Sequence, residues 1–310
     1  MIRLALRRTF LALPTIVAAA TLVFLLVHVV PGDPVDVMLG ESAASVDREA
    51  LRHALALDRP LAAQYVRFLG GLATGDLGRS LVSDRPVARL VAERLPATLE
   101  LAFGALAVAL AIALPLGVAA AARPGTWLDR GAVGFSLLGA AMPSFSLGPL
   151  LIIAFAIELR ILPVSGRGDL AHLVLPACTL GLGMAAILTR MTRASLLDCI
   201  GEDYVRTARA KGLGRVTVLA RHALANALAP VVTILGLQFG ALLAGTVITE
   251  TIFAWPGVGR LTIEAIQARD YPVLQGCILA IAAGFVIAST LADIVNAVLD
   301  PRTRPASRTR

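Results

Sequence analysis

Long apolar runs alternate with shorter polar intervals along the whole chain. Six of these runs approach or exceed the roughly 20 residues that an α-helix needs to cross a bilayer. The runs are Thr9 to Val30, Thr98 to Ala122, Gly131 to Ile157, His172 to Leu188, Val231 to Thr249 and Gly276 to Leu299. The pattern therefore predicts an all-α, polytopic membrane protein with six transmembrane helices.

The first run, Thr9 to Val30, follows three arginines and has a second interpretation as a secretory signal peptide. Such a peptide has a shorter apolar core that ends in a small-residue cleavage pattern. Here Ala18 to Ala20 lie inside the run, and the turn-forming sequence PGDP follows it at 31–34. A retained first transmembrane helix is therefore the prediction.

Composition and charge support a membrane protein of defined orientation. The 310 residues are 57% hydrophobic and 16% charged, with a mean hydropathy of +0.79, whereas a soluble domain is about half apolar and a quarter charged. The net charge is +7, and the basic excess lies in the N-terminal tail, in 123–130, in 189–222 and in the tail from 300. By the positive-inside rule these segments are cytoplasmic, so both termini are predicted to be cytoplasmic. This placement argues against nucleic-acid binding.

The interval between the fourth and fifth apolar runs carries the clearest local pattern. Apolar side chains at Ile200, Tyr204 and Ala208 keep the spacing of one helix face. The sequence GLG at 212–214 then breaks the pattern, and a second helical pattern runs from Arg215 to Leu228. We expect two short cytoplasmic helices joined by a glycine turn, a surface to which a soluble protein docks.

This interval closely resembles the "EAA" coupling loop of ABC-importer membrane subunits, in the form typical of dipeptide and oligopeptide permeases. In that family the loop inserts into a groove on a cytoplasmic ATPase subunit. The coupling loop spans 199–229 here, and Arg206-Thr207-Ala208 stands where the wider superfamily has Glu-Ala-Ala. Pro230 follows where the fifth apolar run begins. The residues that the resemblance assigns to ATPase coupling are Tyr204, Arg206, Thr207, Ala208, Arg209, Ala210, Lys211, Gly212, Leu213, Asn226 and Pro230.

The resemblance covers nearly the whole chain. PGDP, LALDRPL, QYVRFL and GDLGRS, all between 31 and 80, look like the external segment of peptide permeases, which either docks a binding protein or caps the bundle. The segment 250–275 is characteristic of the external loop before the last span, and it predicts two turns with a short helix between them. The implied architecture is the type I ABC importer fold. It has a first helix plus external (periplasmic) segment in 1–96, a permease domain in 97–299 and a cytoplasmic tail in 300–310.

Polar and helix-breaking residues inside the apolar runs are candidates for the translocation path, because burying a charge in hydrocarbon is costly. Pro143 interrupts the third run, where it either borders the path or makes a simple packing kink, and the kink is favoured. Gln238 either lines the path or hydrogen-bonds another helix. Asp293 is the clearest ionisable residue, but pairing with Arg302 or with the coupling loop is the stronger interpretation. The GxxxG motif at 236–240 predicts close packing within the bundle or against a partner subunit.

The sequence contains no pattern for catalysis or metal binding. A P-loop needs a lysine in G-x-x-x-x-G-K-[ST], and the single lysine, Lys211, follows an alanine. There is no G-x-S-x-G or H-E-x-x-H motif, and the three cysteines lack disulfide-like or metal-like spacing. We therefore expect a chain that is not an enzyme and has no metal or cofactor of its own, with ATP bound by partner subunits.

The resemblance implies the permease subunit of an ATP-driven, binding-protein-dependent importer of dipeptides or oligopeptides in the bacterial inner membrane. Expected partners are a second, homologous permease subunit, two cytoplasmic ABC ATPase subunits, an external substrate-binding protein and membrane lipid, without nucleic acid. An importer of the same branch that carries nickel chelates or glutathione is an alternative. A secondary transporter driven by an ion gradient is another, but that class uses midplane ionisable residues and repeated halves. Here Asp293 is the one clear candidate, and no internal repeat is visible.

Overall fold

The computed structural model describes residues 14–25, 49 and 58–299. Within these ranges the regular structure is helical, apart from an isolated antiparallel bridge between Arg79 and Pro86. The helices are α1 (Pro14–Leu25), α2 (Leu61–Thr74), α3 (Val87–Ala122), α4 (Trp127–Ala141), α5 (Ser144–Leu151), α6 (Leu170–Gly201), α7 (Asp203–Ala210), α8 (Leu224–Ile252), α9 (Val258–Gln267) and α10 (Tyr271–Leu299). A π-helical segment, Ile152–Glu158, continues α5. A second one, Val218–Ala223, follows the short helical turn Arg215–Thr217 and leads into α8.

Several of the described helices are long and apolar enough to cross a membrane. Four stretches meet this condition by themselves: Val87–Ala122, Leu170–Gly201, Val218–Leu243 and Tyr271–Ala292. The pair Trp127–Ala141 and Ser144–Glu158 adds a fifth if it is counted as one broken span. These stretches confirm an all-helical protein that spans a membrane several times. Part of the first predicted run and the tail from 300 lie outside the described residues, as do both termini.

The helices α3, α4, α6, α8 and α10 all begin earlier than the apolar runs predicted, and the early starts of α3 and α10 lie together. α3 begins at Val87 instead of Thr98 and has Pro96 in its interior. α10 begins at Tyr271 instead of Gly276. The added turns share one packed cluster, whose buried members are Val87, Val91, Val258, Leu261, Ala265, Val273, Leu274 and Cys277. Hydropathy alone placed the boundaries too late because tertiary packing stabilises these turns.

A stripe of alanines on α3 lies at the centre of the bundle. Between Ala102 and Ala113 every third or fourth residue is a fully buried alanine. The buried residues packed against this stripe are Met184, Ala185, Leu188, Val231, Leu242, Leu243 and Ala288. At Gly181 of α6, an added Cβ would lie 2.8 Å from the carbonyl oxygen of Ala105. Small residues thus bring α3 and α6 close together, which is how helices commonly associate in lipid.

The third predicted span is two helices and not one kinked helix. α4 and α5 are bent by 105° at the break between them. Pro143 precedes α5 with φ −67°, and Met142 is extended with φ −85° and ψ 117°, the conformation that proline favours in the preceding residue. The predicted interruption at Pro143 is therefore present, and it is sharper than a simple kink; whether Pro143 borders the path stays a prediction. After the bend α5 packs near the end of α8, where an added Cβ on Gly148 would lie 3.3 Å from the ring of Phe253.

The GxxxG motif packs α8 against α10. An added Cβ on Gly236 would lie 1.9 Å from the Cβ of Ala292, and one on Gly240 would lie 2.8 Å from the ring of Phe285. A methyl group has no room at either position. Of the two predicted alternatives, close packing within the bundle is the one that the structure shows.

Candidate functional site

The first half of the predicted coupling loop is a short helix followed by a glycine turn. α6 ends at Gly201, Glu202 is extended with ψ 151°, and α7 occupies Asp203–Ala210. Gly212 has φ +81°, a left-handed conformation that glycine adopts without strain from a Cβ atom. Its N–H donates to the carbonyl oxygen of Arg209 at 2.9 Å. The predicted helix and turn are both present.

The second half of the loop is not a separate helix. The helical turn Arg215–Thr217 and the π-helical segment Val218–Ala223 run directly into α8, and Pro230 lies inside α8. Proline removes one backbone donor from a helix, yet α8 continues through it. The prediction of two separate short helices is therefore corrected. The loop consists of α7, a glycine turn and an N-terminal extension of α8, so its second half is continuous with a membrane-spanning helix.

Two apolar side chains hold α7 on the bundle. Val205 is fully buried, and Ala208 is nearly so. They share a cluster whose other buried members are Ala121, Leu196, Val218, Ala223 and Ala227. The prediction that Ile200, Tyr204 and Ala208 share one helix face is wrong in part. Ile200 belongs to α6, and the extended Glu202 interrupts the helix before α7 begins. Burying a valine side chain contributes about 1.5–3 kcal/mol, so this contact firmly orients α7.

The opposite face of the coupling loop is both apolar and cationic. Val216 is 80% exposed, Leu213 is 40% exposed and Tyr204 is 39% exposed. The other exposed residues of this face are Arg206, Thr207, Arg209, Ala210, Lys211 and Arg221. Exposed apolar side chains rimmed by charges are typical of surfaces that bind another protein.

Tyr204 and Asn226, both predicted coupling residues, meet across the loop. Partial burial raises the pKa of the Tyr204 phenol, and a hydrogen bond with the Asn226 side chain opposes that rise. The Nδ2 atom of Asn226 donates to the carbonyl oxygen of His222 at 3.1 Å. Nearby, the Ser195 hydroxyl donates to the carbonyl oxygen of Ala227 at 2.8 Å. These contacts link α6, α7 and the start of α8.

The three predicted path residues lie on separate parts of the bundle. Pro143 lies at the sharp bend between α4 and α5. Gln238 lies in α8, and its buried Nε2 atom has no hydrogen-bond partner among the described residues. Asp293 lies in α10, but its side chain and all of Arg302 are outside the described part of the chain. A role for any of the three in the path stays a prediction.

Glu250, which sequence reasoning placed in an external loop, is fully buried at the end of α8. Its Oε2 atom accepts the backbone N–H of Arg260 at 2.9 Å, and its Oε1 atom accepts the Thr98 hydroxyl at 2.7 Å. Arg260 lies in the first turn of α9, where free N–H groups attract a carboxylate. Thr98 in turn accepts the N–H of Val258 at 2.8 Å. Glu250 therefore caps α9 and links it to α3 and α8.

The sequence around this cap contained a signal that identifies it. Gly257 and Gly259 stand just before and inside the start of α9, and an added Cβ on either would come within 3 Å of the Glu250 carboxylate. Trp255 is fully buried, and its indole N–H donates to the carbonyl oxygen of Ala97 at 2.8 Å. The two glycines make room for the Glu250 carboxylate at the start of α9, and they are the trace that this cap leaves in the sequence.

A second buried carboxylate joins the two segments that were predicted to be external. Asp270, between α9 and α10, accepts the Ser80 hydroxyl and the backbone N–H of Leu81, the latter at 3.1 Å. Ser80 and Asp270 are both buried. The predicted turns around α9 are present, and residues 78–86 pack onto the second of them. One end of the bundle is therefore a single ordered unit.

Comparisons with known proteins identify the family. The family described as "Binding-protein-dependent transport system inner membrane component" matches residues 113–305, and its N-terminal counterpart matches residues 1–102. The dipeptide transport system permease protein DppB of Escherichia coli (strain K12) is 43% identical over 336 residues, which covers 98% of this chain and 99% of that protein. The glutathione transport system permease protein GsiC of the same strain is 40% identical over 304 residues, with the same coverage.

Solved structures share the fold. An inward-facing structure of the MetNI methionine ABC transporter matches with a TM-score of 0.59 at 17% identity, covering 68% of this chain and 96% of that one. A crystal structure of an amino acid ABC transporter matches with a TM-score of 0.52 at 16% identity, covering 69% and 94%. The chain belongs to the binding-protein-dependent transport permeases, and it is a membrane subunit of an ABC importer. The resemblance seen in the sequence is thereby confirmed.

Proposed function

We propose that this chain forms part of the translocation path of an ATP-driven importer of short peptides in the bacterial inner membrane. Relatives that match nearly all of the chain are named for dipeptide and for glutathione transport. Glutathione is itself a short peptide, so both names point to one class of cargo. The chain itself contributes the path, and the choice of cargo is made largely by the external binding protein.

The observation that carries the coupling role is the two-sided construction of the coupling loop. Val205 and Ala208 bury one side of α7 against the ends of α3 and α6, while Val216 on the other side is largely exposed. This exposed face is complementary to a groove on an ATPase subunit that has an apolar floor and an acidic rim. The cations of the face would then pair with the acidic groups of the rim. ATP-driven closure of the partner ATPases then moves the loop. Since the loop continues into α8, its movement becomes movement of the spans.

The complete importer contains two related permease subunits, two ATPase subunits and an external binding protein. The family description supports dependence on a binding protein. A path wide enough for a peptide needs more helices than one chain of this size supplies, which supports pairing with a homologous subunit. ATP hydrolysis belongs to the ATPases, because this sequence has no P-loop. We assign six spans to the chain, with the coupling loop and both termini in the cytoplasm.

Co-purification tests the docking role of the loop. The tagged chain is purified in mild detergent as wild type, as Val216→Asp and as Val82→Asp, and the co-purifying proteins are identified by mass. Val82 is a matched control, because it is also exposed but lies near the start of α3, whereas the coupling loop packs at its end. We expect a P-loop ATPase and a second permease with the wild type and Val82→Asp, and at least tenfold less ATPase with Val216→Asp, about 1.4 kcal/mol of lost binding.

Two results would contradict this assignment. One is undiminished recovery of the ATPase by Val216→Asp. The other is a wild-type chain that purifies alone and transports solute in vesicles with an ion gradient and no ATP. The second result would establish the secondary-transporter alternative and would direct attention to Asp293.

Glutathione is the second candidate cargo, favoured by the 40% identity to GsiC. Uptake of radiolabelled dialanine and of radiolabelled glutathione is compared in vesicles that contain the complete importer and its binding protein. We expect ATP-dependent uptake of dialanine that excess unlabelled glutathione does not inhibit. Saturable uptake of glutathione alone would move the assignment to that cargo.

A further inference from the structure

Asp129 and Arg193 form a partly buried ion pair at the end of the bundle that bears the coupling loop. The Nε and Nη2 atoms of Arg193 both donate to the Asp129 carboxylate, the Nη2 atom at 2.9 Å. The Asp129 side chain is 7% exposed and that of Arg193 is 27% exposed. The backbone N–H of Gly125 also donates to the carboxylate at 2.8 Å. Such a two-point pair has a defined geometry as well as strength.

Arg193 lies on the helix against which the coupling loop packs. One turn further along α6, the fully buried Leu196 shares a cluster with Val205 of α7. On the side towards α3, an added Cβ on Gly117 would lie 2.7 Å from the Cβ of Thr192. This part of α6 is thus packed tightly against both α3 and α7. A displacement of the coupling loop therefore displaces Arg193.

Asp129 lies on α4, which contacts the bundle along a narrow stripe. The buried residues of α4 are Asp129, Ala132 and Ser136, and an added Cβ on Gly139 would lie 2.6 Å from the Cβ of Ala186 in α6. The Ser136 hydroxyl bonds within α4, to the carbonyl oxygen of Ala132. Apart from Asp129, the described side chains of this stripe are therefore small, and none of them forms a hydrogen bond or an ion pair with α6. The ion pair is therefore the directional side-chain contact between α4 and α6 in the described part of the chain.

We propose that Arg193 and Asp129 are a positioning pair that passes a displacement of the coupling loop from α6 to α4. At its far end α4 meets the 105° bend before α5, so the pair connects the loop to this bend. A bidentate pair has a fixed geometry, so it adds a directional link between α4 and α6 to the packing of the small residues. The inference rests on the proposed role of the coupling loop and adds the route by which its movement spreads.

The test uses the complete importer in proteoliposomes with four forms of this chain. Asp129→Asn keeps the shape of the side chain and removes its charge, and Asp129→Glu restores a carboxylate. Asp84→Asn is the matched control, because Asp84 pairs with Arg79 on the surface with an 87% exposed side chain. Uptake of dialanine per ATP hydrolysed is measured for each form.

A second readout is independent of the cargo. Spin labels are placed at Leu138 on α4 and at Val82, both exposed, in an otherwise cysteine-free complex. The distance between the labels is measured without nucleotide and after trapping with ATP and vanadate. It reports whether α4 moves when the ATPases close.

We expect Asp129→Asn to lower uptake per ATP by about fivefold or more, with ATP hydrolysis maintained and the nucleotide-driven distance change lost. Asp129→Glu restores both readouts in large part, and Asp84→Asn matches the wild type. The inference is overturned if Asp129→Asn keeps the distance change, or if it loses uptake and hydrolysis together in proportion to the complex assembled. A wild-type complex that couples uptake to ATP hydrolysis but shows no nucleotide-driven distance change also overturns the inference. Failure of the proposed role of the loop shows separately, as undiminished recovery of the ATPase by Val216→Asp.

Discussion

At the scale of single residues, Glu250 shows how one buried carboxylate organises a segment. Its oxygens accept hydrogen bonds from Thr98 and from the backbone N–H of Arg260, and the N–H of Gly259 also contributes. A carboxylate deprived of water is tolerated only when its lone pairs are used in this way. The same contacts provide α9 with the cap that its own N-terminal residues lack, since no side-chain cap is formed by Gly257.

Replacing Glu250 by alanine leaves these buried donors without an acceptor. We expect the free energy of unfolding of the detergent-purified chain to fall by about 1–3 kcal/mol, as measured by thermal denaturation. Glu264→Ala is the matched control on α9, because Glu264 pairs with Arg260 at 2.9 Å in a partly exposed position, where such a pair contributes about 1 kcal/mol or less. Equal decreases in the free energy of unfolding of the two variants would contradict the assignment of Glu250 as the cap of α9.

At the scale of elements, the glycine turn decides how the coupling loop is built. Gly212 adopts φ +81°, and an added Cβ there meets no atom within 4 Å. Any effect of a substitution therefore comes from backbone conformation and not from a clash. The turn sets the direction in which Leu213 and Val216 leave α7, so its conformation determines the shape of the exposed face.

Gly212→Val tests this turn, because a β-branched residue is strained at positive φ. Left-handed backbone costs about 1–2 kcal/mol for an ordinary residue, and we expect uptake per ATP hydrolysed to fall while membrane insertion stays normal. Gly212→Asn is the control, since asparagine tolerates the left-handed region. Normal uptake per ATP in Gly212→Val would count against the coupling assignment.

At the scale of the whole molecule, the placement of charge and the packing of the helices distinguish the same two ends of the bundle. Most of the coupling loop lies in the basic interval 189–222, and the loop packs on Ala121 at the end of α3. The segment 78–86 precedes the start of α3 and packs on Asp270. α3 therefore separates the two surfaces by its full length, and a membrane that α3 crosses places them on opposite sides.

Cysteine accessibility checks this orientation. In a cysteine-free chain, single cysteines are introduced at Val82 and at Val216, which are both exposed. We expect a membrane-impermeant maleimide to label the Val82 position from outside intact spheroplasts, and the Val216 position only after permeabilisation. Labelling in the reverse order would invert the proposed topology.

Sequence reasoning succeeded for several properties that depend on neighbours along the chain. The apolar runs located the long spans, and the glycine turn at 212 followed from local spacing. The break at 142–143 was signalled by its proline, but its angle was not, because proline determines that a helix is interrupted and not where the next helix packs. The starts of α3 and α10 were missed because contacts with α9 stabilise those turns.

The sequence by itself determined the membrane class, the helical architecture, the family and the left-handed turn, since composition, periodicity and motif spacing are local quantities. Only the tertiary structure decided that Val205 faces the bundle and that Glu250 caps α9. It also decided that Asp129 pairs with Arg193, 64 positions away in the chain. Each of these contacts depends on which helices become neighbours. Close packing of small residues between α3, α6 and α4 determines which helices are neighbours, and the hydropathy of the sequence does not report such packing.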